Sequence, residues 1–203
     1  MSQGAFEKLE GQKAKKFIDR LNKAWAGSPF DAERTAVHAR SLPFADDWTL
    51  AEAGDATSIP EKRCIALDNG KECVPVRFDA TFIPSFAAQN GFRIDEDTGD
   101  DYLRFWFEYA RNPADRFVLI ESVDDMPWRE EPTPQARKSL AKSVMPIALL
   151  RTDTDGVVYS ACVLFRDTLF DCQLKVKPSG EVEVVNRHMV AEGLTVSDPL
   201  TGL

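Results

Sequence analysis

Between Ala5 and Ala26, apolar side chains recur at helical spacing. Phe6, Leu9, Ala14, Phe17, Leu21, Ala24 and Trp25 fall on one face, and Lys8, Lys15, Lys16, Asp19, Arg20 and Lys23 cover the other. Gly27 stops this predicted helix, and Ser28-Pro29 prevents its re-entry. A second helix is expected from Asp31 to about Ser41, ended by Leu42-Pro43. Weak alternation over Trp48–Ala53 predicts a strand. Cys64–Leu67 and Val74–Phe78 read as two more strands around Asn69-Gly70. Asn-Gly suits a type I′ hairpin, whose central residues both need positive φ; that turn would pair Ala66 with Cys73. Pro75 has no backbone donor, so its strand is expected at a sheet edge.

The middle of the chain returns to helical spacing. Phe82–Gln89 reads as a short helix, and Asp101–Arg111 as the central one. In the latter, Asp101, Arg104, Glu108 and Arg111 form a single polar stripe, while Leu103, Phe105, Trp106, Phe107, Tyr109 and Ala110 fill the rest. A helix apolar around most of its circumference is buried on more than one side. Asp100 or Asp101 is the expected cap, where a carboxylate also favours the helix dipole. Phe117–Glu121 predicts a short strand, and Thr133-Pro134 the cap and first turn of a helix reaching about Val144.

From Ile147 the period drops to two. Strands are expected at Ile147–Arg151, Val157–Phe165, Leu169–Val176 and Glu181–Met189, joined by polar turns. In the third of these, Phe170, Cys172, Leu174 and Val176 alternate with Asp171, Gln173 and Lys175, so one face is expected buried and the other wet. The tail Gly193–Leu203 has no period and is expected to pack loosely. These elements predict an α+β fold of one domain over residues 1–203, an antiparallel sheet of five to seven strands covered on one face by the N-terminal and central helices.

Composition supports that picture. At 203 residues with 43% hydrophobic side chains, one core can form without metals or disulfides. Charge changes it more. The net charge is −8, and residues 94–131 alone hold four bases against twelve acids, also −8. An acidic surface repels nucleic acid, which rules against a nucleic-acid partner. The first residues carry a charge at Glu7 and lack an apolar export core, and no run is long enough to span a membrane. The expectation is therefore a cytoplasmic protein without a membrane partner.

Candidate chemistry is sparse. Cys64, Cys73, Cys162 and Cys172 lack the spacing of a zinc site, and a reducing compartment favours free, buried thiols. A three-residue turn at Arg166-Asp167-Thr168 would place Cys162 opposite Cys172, where a redox pair is conceivable. Asp153-x-Asp155-Gly156 fits a calcium loop poorly, because Arg151 and Cys162 would occupy its first and last positions. His38 and His188 have no companion nucleophile motif, and phosphate-binding glycine loops do not occur. No cofactor is expected, and the balance leans away from catalysis.

The polar stripe of the central helix is the feature closest to a site. Arg104 and Glu108, with Trp106, Tyr109 and Tyr159 as apolar walls, would line a cleft between that helix and the sheet. This predicts a non-catalytic domain that binds a small molecule. The alternatives are an acidic protein-interaction module, adaptor-like or chaperone-like, and an enzyme with a carboxylate or Cys site. None of these patterns specifies an oligomeric state.

Overall fold

A computed structural model of the protein describes residues 4–77, 79–110 and 117–197. Phe78 and Arg111, placed above in a strand and in the polar stripe, lie outside them. The described chain has four α-helices and two antiparallel sheets of five strands each, an α+β architecture with a C-terminal meander. The strands thus divide between two sheets rather than forming one. The chain separates into two compact units, with the division after Arg77.

The N-terminal unit holds β1 (Glu7–Leu9), α1 (Gly11–Ala24), β2 (Ala36–Ser41), β3 (Thr49–Asp55), β4 (Lys62–Asp68) and β5 (Cys73–Pro75), with the strands in sequential order across the sheet. Helix α1 begins later than its apolar period suggests. Residues 7–9 pair with β2 instead, and Gly11, at φ 56°, turns the chain from strand to helix. The helix expected over 31–41 is strand β2. Val37 and Ala39 point at the helix, and pairing with β1 and β3 on both sides overrides local propensity.

Phe17, Ile18 and Leu21 of α1 pack on Val37, Ala51, Ala53, Cys64 and Ala66. The sheet residues under the helix are mostly small, which lets the helix sit close. Arg20 closes the contact with two hydrogen bonds of 2.8 Å, from Nε and Nη2 to the Asp68 carboxylate.

The β4–β5 loop is longer than a type I′ turn. Asp68 pairs with Cys73 and Ala66 with Pro75, and only Gly70, at φ 82°, has positive φ. The Asn69 Oδ1 accepts from the backbone N–H groups of Lys71 and Glu72 and holds this four-residue loop. Strand β5 with Pro75 lies at the sheet edge, as the missing donor requires.

The C-terminal unit contains α2 (Phe82–Gln89), α3 (Gly99–Tyr109), β6 (Phe117–Ile120), α4 (Pro134–Leu140), β7 (Ala148–Asp153), β8 (Gly156–Phe165), β9 (Thr168–Val176) and β10 (Val182–Ala191). Strands β10, β9 and β8 form the meander, and β6 and β7 both pair with the far edge of β8. Residue Thr98, not Asp100 or Asp101, occupies the cap position of α3; the two carboxylates stand in its first turn. Thr133 caps α4 as expected, accepting from Ala136 N–H, but the helix ends at Leu140.

Strand β9 alternates as predicted, but β8 is buried on both faces. Ile120, Met126, Val144, Cys162, Leu164 and Leu169 form a core on one face, covered by Trp128, Leu140, Leu194 and Val196. Within the tail expected to pack loosely, residues 194–197 are hydrogen-bonded. Ser197 N–H donates to Pro127 O at 2.7 Å, and Arg129 N–H donates to Thr195 O at 3.1 Å.

Candidate functional site

The other face of this sheet carries Tyr159, Val163 and Phe165 from β8, and Phe170, Cys172 and Leu174 from β9, as their pairing register requires. Helix α3 meets the sheet at its first turn through Gly99. A β-carbon there would lie 2.5 Å from the Tyr159 hydroxyl, so only glycine permits the approach. The Tyr159 hydroxyl donates to Asp95 O at 3.1 Å, and burial pushes its pKa up to about 12. Tyr102 donates to Gly180 O, at the β9–β10 turn, at 2.7 Å. Gly180 sits at φ 84°, and a β-carbon there would lie 2.6 Å from the Tyr102 hydroxyl. The first half of α3 is thereby fastened closely to the sheet.

The second half differs. Trp106 and Phe107 of α3, Phe117 of β6, and Phe165 and Phe170 of β8 and β9 surround a cavity of about 240 Å³. Val163, Leu174, Val182 and Val184 add aliphatic wall. Cys172 and Arg187 complete it. The groove opens to solvent where Phe117 and Val184 are 41% and 58% exposed. Phe117 and Phe165 stack with centroids 4.8 Å apart, and the Arg187 guanidinium lies 5.7 Å from the centre of the Phe170 ring. Burial pushes the Cys172 thiol up to about 11, which keeps it protonated and a poor nucleophile.

The five residues singled out in the sequence take different places. Trp106 lines this groove. Tyr109 and Tyr159 are each 1% exposed and belong to the core. Arg104 is engaged by three carboxylates. Its Nε and Nη2 donate to the two Glu121 oxygens at 2.9 and 2.8 Å, and its Nη1 donates to Asp100 at 2.8 Å and Asp101 at 3.2 Å. The Glu121 bonds, first among these contacts, raise the guanidinium pKa, while burial acts against them. Arg104 thus ties α3 to the end of β6, and Glu108 is exposed on the same helix.

Sequence reasoning missed Arg187. It lies on β10, which is exposed along much of its length, and only the register opposite Cys172 brings it to the groove. The other candidate chemistry is dispersed. Strands β8 and β9 are joined by a two-residue turn, Arg166-Asp167, so Phe165 pairs with Thr168 and Ala161 with Cys172. Arg166 takes φ 55° there. Cys162 consequently points to the opposite face of the sheet from Cys172, and a redox pair between them is not formed. Asp153 and Asp155 both accept from Lys175, at 3.1 and 2.8 Å. Among the described residues no three His, Cys, Asp or Glu side chains gather into a metal-binding set, and no helix is long and apolar enough to cross a membrane. Compared with protein-family models, curated proteins and solved structures, the chain matches none of them.

Proposed function

We propose that the C-terminal unit is a non-catalytic binding domain for a small, largely apolar molecule held in the groove between the second half of α3 and the sheet. One observation carries this reading. Five aromatic rings wall a cavity of about 240 Å³ that is open at one side and lined by Arg187 as its sole charged group. Small-molecule sites are concave and mostly apolar, with few polar groups to fix orientation. A cavity of about 150 Å³ accepts benzene, so this one suits a molecule of roughly ten to thirteen heavy atoms, such as a fused bicyclic. The high pKa of Cys172 supports binding over covalent chemistry. Trp106, one of the five candidates, lines this groove, and Arg104, Tyr109 and Tyr159 support the reading by fixing the helix that presents it.

Thermal unfolding with 2-methylnaphthalene tests this, since a ligand of the native state raises the melting temperature in proportion to its occupancy. The wild-type protein is expected to gain stability, and Val184→Trp, which fills the groove from its open side, is expected to lose that gain. No shift in the wild-type protein, or an equal shift in the filled variant, overturns the reading.

A further inference from the structure

Arg187 is the one charged side chain in the groove wall. Its guanidinium forms no ion pair with the described carboxylates, although the chain has 33 acidic side chains against 25 Lys and Arg. It rests instead against the Phe170 ring in the groove wall. The remaining lining is hydrocarbon apart from the protonated Cys172 thiol and the Trp106 indole, whose Nε1–H is buried away from the groove's solvent.

Resting on the reading above, we propose that the ligand is an apolar carboxylate, its ring system in the groove and its head group accepting from Arg187. A neutral hydrocarbon would fill the same space without meeting the guanidinium. A cation would be repelled by Arg187. A carboxylate suits it, because its two oxygens each carry acceptor lone pairs and match the guanidinium fork. A neutral amide offers one acceptor oxygen but forfeits the charge.

The test compares three probes of one ring system by isothermal titration calorimetry: 2-naphthoate, 2-naphthamide and 2-methylnaphthalene. The expected order of affinity is carboxylate, amide, hydrocarbon, with about tenfold between the first two for one charge-assisted contact. Arg187→Met should remove the carboxylate's advantage over the amide and leave 2-methylnaphthalene unchanged. The variant should melt as the wild-type protein does, because Arg187 is exposed. Equal binding of 2-naphthoate and 2-methylnaphthalene, or an Arg187→Met protein that binds 2-naphthoate unchanged, overturns the carboxylate assignment while the apolar groove stands. Failure of all three probes overturns the groove reading and this one with it.

Discussion

In the N-terminal unit, α1 sets Phe17, Ile18 and Leu21 on a sheet surface of Ala51, Ala53, Ala66 and Cys64. In the C-terminal unit, Trp106 and Phe107 of α3 share their space with Phe117, Phe165 and Phe170. Large side chains on one layer and small ones on the other interdigitate and leave no void. Large side chains on both layers hold each other apart, and the rings enclose a groove instead of filling it. Each helix is also tied to its own sheet by one arginine, Arg20 to a single carboxylate and Arg104 to three. Helix-on-sheet packing therefore yields a closed core or an open groove according to which layer carries the bulk.

The largest expected difference follows from truncating one ring in each unit. Phe17→Ala should destabilise by about 3–5 kcal/mol in urea unfolding, because Phe17 is 1% exposed and its space cannot collapse. Trp106→Ala should cost only about 1–2 kcal/mol, since its ring already borders an open groove. Equal costs would break the comparison.

Enlargement should act the other way. Ala51→Leu overpacks the surface under α1 and should cost about 1–3 kcal/mol. Val184→Phe projects into the groove from an exposed position and should stay within about 0.5 kcal/mol. The same urea midpoints decide it, and a severe penalty at Val184 would mean that the groove is not available space.

The two arginines sharpen the electrostatic side. Arg104→Met removes a shared partner from Asp100, Asp101 and Glu121, of which Asp101 is 1% exposed, and should cost about 2 kcal/mol. Arg20→Met deprives only Asp68 and should cost about 1 kcal/mol. If the order of the two urea midpoints reverses, the three-carboxylate cluster is not the stronger tie.

The smallest effect is in acid, and its sign differs between the units. Asp55 of β3 accepts from the Thr57 hydroxyl, the Ser58 hydroxyl and the Thr57 N–H, which hold its carboxyl down at about 2. A depressed folded-state value contributes stability above about pH 4, lost as pH falls through 4 towards 2. Burial, the largest influence on Asp101, raises its carboxyl instead, so acidification relieves a penalty that is present at neutral pH. Melting temperatures between pH 6 and 3 should therefore fall less steeply for Asp55→Asn than for the wild-type protein. They should fall more steeply for Asp101→Asn.

Most of the elements were legible because their signals are local. The 2.0 period marks β8 to β10, Thr133-Pro134 marks the start of α4, and Phe82–Gln89 was bounded correctly. The misreadings share a cause. Residues 7–9 and 36–41 carry helix-compatible patterns, and they become strands because β3 and its neighbours offer backbone partners from distant sequence. Of the groove, Trp106 was visible as a large apolar residue on a predicted central helix, whereas Arg187 was not, since nothing near it in sequence distinguishes it from any exposed strand cation.

The amino-acid sequence by itself determined the α+β class, the C-terminal meander, the edge position of Pro75 and the concentration of acid in residues 94–131, because period, ring geometry and charge count need no long-range contact. Only the tertiary structure decided the division into two sheets, the faces of Cys162 and Cys172, and the placing of Trp106 and Arg187 on the wall of one groove. A single residue of register reverses the face of every following side chain in a strand, and the two-residue turn at Arg166-Asp167 set that register.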